Sequence, residues 1–375
     1  MKIAIVHDYL NQYGGAERVI EVMHEIFPEA PVFTSIYQPE NMPDSFKKMD
    51  IRVTFMQKFP FLDRFYKKYF MLYPIAMKSL KVKDFDLIIS SSSSFAKGVR
   101  KRKNAVHVCY CYTPTRFVWY YNSYIKKENF SKIISTFLLP LFIKSLKKWD
   151  LKAVEGVDKF IAISNHIKNK IKACYKRDSE VIYPPIDFEK FKIRQASKER
   201  GSYFLVVSRL NAYKNIDMAI NACKKVNQNL KIIGTGLYLK ELKKITGDSK
   251  KIEFLGRVSD EELSSYYSGC RALIFPGEED FGISPLEAQA SGKPVIAYAK
   301  GGALETIIDG ETGIFFKEDN EDSLSESISD FISMENNFIP EVIRKHALKF
   351  DKEVFKKSLK AYIDNIINDN QIKDK

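Results

Sequence analysis

The chain has little of what marks several classes of protein. Its five cysteines, at 109, 111, 174, 223 and 270, are odd in number and follow no zinc-knuckle or disulfide-framework spacing. Cys109 and Cys111 put both sulfurs on one face of a strand. A reduced protein with no metal held by cysteine is expected. Long apolar runs are missing too. The longest uncharged one, Ile133–Ile143, has eleven residues, is broken by Pro140 and falls short of a bilayer span, roughly 18 residues. The opening MKIAIVHDYL has one lysine and a short apolar strand in place of a charged region and a long apolar core, so no secretory leader is expected. Acid is scarce in the first half. Residues 1–190 hold 32 Lys+Arg against 19 Asp+Glu, while residues 191–375 hold 28 of each. The whole net charge of +13 therefore sits in the first half. Such a one-sided field points to an anionic partner or to a plain solvated basic surface. No nucleic-acid motif accompanies it, so nucleic acid is not expected. Aromatics interleave with lysines in RFYKKYF, KSLKVKDF, RKRKN and FSKIISTFLLPLFIKSLKKW. That mixture suits docking on an anionic membrane surface, although Ile133–Trp149 reads equally as a core-facing helix.

What is present is a regular alternation. With 375 residues the chain is long enough for two or three domains. Short apolar runs at Ile3–Val6, Val32–Ile36, Leu87–Ile89, Val106–Cys109 and Lys159–Ile163 alternate with helical patterns. A prolyl break in VIYPPIDFEKF, residues 181–191, ends the series. A second series begins at Tyr203–Val207 and continues through Leu230–Ile233, Ile252–Leu255, Ala272–Phe275, Val295–Ala297 and Gly313–Phe316. The reading is α/β: two Rossmann-like doubly wound domains, residues 1–190 and 200–350, facing a central cleft. The tail, residues 351–375, carries Phe355, Leu359, Tyr362, Ile363 and Ile366 on one helical face.

Ligands of such sheets bind beyond the strand ends, at glycine turns and helix N-termini. Gly14 and Gly15 follow the first strand and open a helix, where backbone can approach an anion closely. Arg209 and Lys214 follow the first strand of the second series and are placed to clamp a diphosphate. Gly234 and Gly236 are a weaker signal of the same kind. Gly256, Arg257 and Val258 precede a helix capped by Ser259 or Asp260. The stretch GEEDFGISPLEAQASGKPVIA puts Glu279 and Glu287 on either side of a turn. One reading is capping, with Ser284 as N-cap, Pro285 first and Glu287 third. The other is a nucleotide sugar. Its layout is sugar hydroxyls, diphosphate, then ribose hydroxyls. Glu279 would accept from the sugar and Glu287 from the ribose, with the Ile283–Leu286 amides, Arg209 and Lys214 on the diphosphate between them.

The segment EEDFGISPLEAQASGKPVIAYAKGGALETIIDGETG resembles the signature of the family-four retaining glycosyltransferases, which have the GT-B fold. Two glutamates with seven residues between them are followed by G-x-P-V-I-A and G-G-x-x-E. HDYLNQYGGAERV, IISSSSSFAKGV, CYCYTPTRFVWYYN, FIAISNHI, VIYPPID and SRLNAYKN fall in the family's order, so the resemblance covers nearly the whole chain. It is particularly similar to bacterial mannosyltransferases of O-antigen and exopolysaccharide assembly. That likeness implies a GDP-mannose donor, with a UDP-sugar as the alternative. It implies a glycan or polyprenyl-diphosphate-linked acceptor, and a cytoplasmic enzyme peripheral to the inner membrane face. It gives Arg209 and Lys214 the leaving diphosphate, Glu279 the donor sugar, and Glu287 the ribose. Gly14 and Gly15, with Gly256, Arg257, Val258, Gly282, Ile283, Ser284 and Leu286, are donor-binding by the same resemblance. It also returns the last helix to the first domain.

One position departs: Tyr112, before Thr113-Pro114, stands where the family commonly has histidine. Tyrosine donates a hydrogen bond without a positive charge. His107, in the strand before it, reads as a core residue. No metal and no cofactor are expected. Asp84 and Asp86 form a D-x-D that precedes a strand instead of following one. Cations and a helix N-terminus can stabilise a departing diphosphate. By the resemblance, retention comes from same-face attack assisted by the leaving phosphate, with no protein base. A catalytically silent sugar-nucleotide-binding subunit is the competing class, supported by Tyr112 alone. An epimerase or phosphorylase on the same fold is a third. Donor hydrolysis and transfer assays separate them.

Overall fold

The computed structural model describes residues 1–120, 139–193 and 201–373. Residues 133–138 of the Ile133–Ile143 run, with Phe130 and Lys132 before them, therefore lie outside the described residues. Packing divides the chain into two compact units, one of Met1–Pro185 with Phe355–Lys375 and one of Ile186–Val354.

The first unit is built on a parallel sheet of seven described strands. They are β1 (Ile3–His7), β2 (Val32–Thr34), β3 (Ile51–Val53), β4 (Leu87–Ser92), β5 (Val106–Cys111), β6 (Lys159–Ala162) and β7 (Ser179–Val181). Their order is β3-β2-β1-β4-β5-β6-β7. Order reverses between β1 and β4, which pair in register from Ile3↔Leu87 to His7↔Ser91. Both faces are covered, so the central strands are continuous apolar runs: Ala4, Ile5, Val6, Ile88 and Ile89 are fully buried. β3 and β7 are short edge strands that the apolar pattern does not reveal. An edge strand has one neighbour and keeps polar positions such as Arg52 and Glu180.

Three helices matter for the site in this unit. α1 (Gly15–Ile26) leaves β1, α2 (Leu139–Glu155) precedes β6, and α3 (Asn165–Tyr175) follows it. The last helix of the chain, Lys352–Lys373, seals the unit. Leu359 and Ile363 are fully buried there. Phe355 meets the Tyr110 ring edge-on at 5.8 Å, and Lys356 pairs with Glu25 at 2.6 Å. His107 lies inside β5, fully buried, 2.7 Å from Ser90 Oγ, and burial pushes its pKa down to about 4.

The second unit repeats the plan with six described strands. They are β8 (Phe204–Val207), β9 (Leu230–Ile233), β10 (Ile252–Gly256), β11 (Leu273–Phe275), β12 (Val295–Tyr298) and β13 (Gly313–Phe316). The order is β10-β9-β8-β11-β12-β13, all parallel. α4 (Ile216–Lys225), α5 (Asp260–Gly269) and α6 (Ile283–Ala290) flank it. Its core gathers Phe204, Val206, Ile232, Ile274 and Ile296 under α4 and the helix Glu321–Met334. β8 and β11 share one register pair, Leu273↔Leu205, whereas β11 and β12 share three. The two strands at the reversal thus part beyond that pair, opening a crevice at their carboxyl ends.

Candidate active site

In the second unit, the crevice at the strand reversal is lined by Val207 and Ser208 from β8 and its exit, and by Phe275 and Gly277 from that of β11. Lys214 and Glu279 face each other there. The Lys214 ammonium donates to the Glu279 carboxylate, and their side chains keep 15% and 12% of their exposure. A cation and an acid, each open to a ligand, stand together where open parallel sheets bind ligands. The backbone of Glu279 is held from behind by Gly301 and Gly302. Gly302 N–H donates to the Glu279 carbonyl at 2.8 Å, and Gly301 has φ +65. A side chain at either glycine would strike the backbone at Glu279 or Phe281.

α6 begins at the same crevice, and here the structure corrects the capping-box reading. The N-cap is Gly282, at φ 92, and the helix starts at Ile283. A Cβ at Gly282 would lie 2.7 Å from the Phe275 ring. Ser284 therefore falls inside the first turn. Its hydroxyl donates to the Val207 carbonyl at 3.1 Å and caps nothing. Glu287 is one turn further in and 3% exposed, accepting from the Tyr267 hydroxyl of α5 at 2.7 Å. Leu286 points into the core, fully buried. Arg209 is exposed at the exit of β8. Gly256, at φ 69, ends β10 two strands from the reversal; Arg257 is exposed and Val258 half-buried beyond it. Ser259 caps α5 with Glu262 in a reciprocal box. Gly234 and Gly236 pack against the backbone carbonyls of Ser208 and Leu210.

In the first unit, Gly14 is the N-cap of α1 and Gly15 its first residue. Glu17 reaches back to the Gly14 N–H at 2.9 Å. Tyr112, at the exit of β5, donates its hydroxyl to the Ala16 carbonyl at 3.2 Å, so the structure brings it to the start of α1. Burial pushes the Tyr112 phenol well above its ordinary pKa, which keeps it protonated. The sequence reading did not single out the residues beneath. Asp8 accepts five hydrogen bonds from the serine-rich loop after β4: from Ser93 N and Oγ, Ser94 N, Phe95 N and Ala96 N, at 2.6–3.0 Å. Lys97 and Asp150 form an ion pair at 2.8 Å with 1% and 0% exposure. Thr115, Trp119 and Tyr175 also donate to Asp150. Burial opposes the Lys97 charge and Asp150 more than offsets it, leaving its pKa raised. Asp86 of the D-x-D accepts from the Lys2 N–H and pairs with Arg102.

The family models agree with this division. The one described as Glycosyltransferase Family 4 matches residues 13–190, and the one described as Glycosyl transferases group 1 matches residues 187–350. The chain belongs to the family-four glycosyltransferases. Among its relatives is an uncharacterized glycosyltransferase of Methanocaldococcus jannaschii, 31% identical over 54% of this chain and 56% of that protein. The O-antigen chain mannosyltransferase RfbU of Salmonella typhimurium is 32% identical over 54% of this chain and 60% of its own length. The chain thus aligns with little more than half of either relative. Anabaena HepE, solved in complex with UDP, superposes with a TM-score of 0.73 at 18% identity, covering 97% of this chain and 100% of that one. That likeness concerns the fold, which is GT-B with two Rossmann-like sheets. In this glycosyltransferase, the fold brings Lys214, Glu279 and Ser284 to one strand reversal. It brings Gly14, Gly15 and Tyr112 to the other, and leaves Gly256–Val258 at the far side of the second sheet.

Proposed function

We propose that the protein is a retaining glycosyltransferase that moves mannose from GDP-mannose onto a lipid-linked or polysaccharide acceptor in cell-surface glycan assembly. The observation that carries this reading is the Lys214–Glu279 pair at the β8/β11 crevice. Lys214 turns from Glu279 to the leaving diphosphate, joined by Arg209 and the first turn of α6. Glu279, released, accepts from the sugar hydroxyls, and Glu287 from the ribose. Gly256, Arg257 and Val258 lie along the same sheet edge for the nucleoside. Within the first unit, Gly15 offers a backbone N–H beside Gly14 at the start of α1, and Tyr112 one hydroxyl. The likeness to an O-antigen mannosyltransferase supports mannose. A UDP-sugar donor is the second reading, favoured by a neighbour of the same fold solved with UDP.

Calorimetric titration of the full chain with GDP, GDP-mannose, UDP and UDP-glucose tests the donor. GDP and GDP-mannose are expected to bind tightest; tight binding of the uridine pair alone would transfer the assignment to a UDP-sugar. Binding without donor hydrolysis or transfer to any acceptor would leave a silent binding subunit.

We further propose that the first unit docks on an anionic, cytoplasmic membrane face. Arg100, Arg102 and Lys103 are exposed, and so are Phe55, Phe61 and Ile75. No helix among the described residues is long and apolar enough to cross a membrane. Each basic residue near such a surface adds about 1 kcal/mol, weakened by salt. Sedimentation with anionic vesicles should fall with salt and when Arg100 and Lys103 are neutralised together. Equal sedimentation with neutral vesicles would rule out docking by charge.

A further inference from the structure

His7, Ser91, Tyr112 and Glu17 form a connected polar chain beside the start of α1, and the reaction proposed above uses only Tyr112. His7 closes β1 and is 2% exposed. Its Nδ1 lies 3.0 Å from Ser91 Oγ and 3.2 Å from the Ser91 carbonyl. Its Nε2 lies 3.5 Å from Glu17 Oε1. Ser91 Oγ lies 2.9 Å from the Tyr112 hydroxyl, which donates to the Ala16 carbonyl. Glu17 is itself buried and held by the Gly14 N–H.

Counting protons orders this chain. Each hydroxyl has one proton, and a carbonyl or carboxylate has none to give. If Tyr112 donates to Ala16, it must accept from Ser91. Ser91 must then accept from His7, so Nδ1 carries the hydrogen. The opposite arrangement also closes. Nε2–H donates to Glu17, bare Nδ1 accepts from Ser91, and Ser91 accepts from Tyr112. The phenol proton then points back toward His7, and Tyr112 offers only lone pairs to a ligand. Groups that can only accept distinguish the two: the Ser91 carbonyl faces Nδ1 and the Ala16 carbonyl faces the Tyr112 hydroxyl, and both favour Nδ1–H, while the Glu17 carboxylate favours a hydrogen on Nε2 as well and leaves the one on Nδ1 in place.

We propose that His7 is a positioning residue: by holding Nδ1–H on Ser91 it keeps the Tyr112 proton on the Ala16 side, at the start of α1, from where the hydroxyl turns to donate to an anionic oxygen of a nucleotide sugar. A neutral tyrosine can serve where the family commonly has histidine only if its proton can turn to the anion, and the histidine that ensures this lies two strands over, at the end of β1. The inference rests on the glycosyltransferase reading only in its last step, the contact between Tyr112 and the donor.

Two measurements on the full chain keep the step and the reading apart. Nitrogen-15 spectra of the wild-type His7 ring are expected to show a protonated Nδ1; an Nε2–H tautomer with bare Nδ1 overturns the proposal whatever the activity. Turnover of the nucleotide sugar identified by titration is then compared in variants. Tyr112→Phe and His7→Gln should each lower kcat about tenfold with KM little changed. His7→Asn, whose amide nitrogen can stand where Nδ1 stood, should recover most of that loss. In the double variant His7→Gln/Tyr112→Phe, the second change should add nothing to the first. Additive losses, or equal losses in His7→Asn and His7→Gln, defeat the proposal. If His7→Gln fails to fold, the wild-type nitrogen-15 spectra decide the positioning step alone. A wild type that turns over no nucleotide sugar defeats the functional reading and leaves the tautomer measurement to decide the positioning step.

Discussion

The two units hold their site loops by different means. In the first, buried side-chain charge does it. Asp8 gathers five donors from the loop after β4, and the Lys97–Asp150 pair ties that loop to Thr115 and Trp119 after β5 and to Tyr175 of α3. In the second unit, backbone against glycine does it. Gly301 and Gly302 pack on the Glu279 segment, and Gly282 lets α6 begin against Phe275. The difference has a consequence for chemistry. Side chains that fix loops are buried and committed to partners. Loops fixed through glycine leave their side chains for a ligand, and Lys214 and Glu279 remain partly open.

The largest expected effect breaks the first mechanism. Lys97→Met leaves Asp150 charged, buried and without its cation, and should destabilise the first unit by about 3–5 kcal/mol. Both tryptophans, Trp119 and Trp149, lie in that unit, so urea unfolding followed by tryptophan fluorescence reads it selectively. An unchanged midpoint would mean that the pair does not hold the loops. Next comes the open pair of the second unit. Glu279→Gln should lower transfer about 100- to 1000-fold, as for loss of a transition-state contact, while the urea midpoint followed by far-ultraviolet circular dichroism, which reads both units, stays at the wild-type value. Turnover near wild type would remove Glu279 from the site. The smallest effect sharpens the view of the first unit as built on buried polar groups. His107 is held neutral, its pKa pushed by burial from 6.5 to about 4. Below pH 6.5 the unfolded chain takes up a proton that the fold refuses, so stability is complete above that pH and is lost as pH falls toward 4. Between pH 7.5 and pH 5 the loss should be about 2 kcal/mol, and His107→Gln should flatten it. An equal slope in that variant would place the proton uptake elsewhere.

Local spacing determined much of this protein. Central strands of a parallel sheet are buried on both faces, so Ile3–Val6, Leu87–Ile89, Leu230–Ile233 and Val295–Ala297 are legible as apolar runs without any knowledge of their neighbours. Lys214, Glu279 and the glycines around them are legible because a turn after a strand has a short, local signature. Tertiary structure decided what depends on which strand ends lie side by side. Lys214 and Glu279 are 65 residues apart and bond only because β8 and β11 are neighbours at the reversal. Asp8 meets the serine loop, and His7 meets Ser91, across 84 residues or more because β1 pairs with β4. In sequence, HDYL and SSSS are two polar interruptions with no stated relation. Ser284 and Glu287 had the spacing of a capping box, yet Gly282 is the N-cap and the helix begins at Ile283, because Val207 and Tyr267, both distant in sequence, take up the hydroxyl and the carboxylate. Strand order turns separate motifs into one site, and no window along the chain contains it.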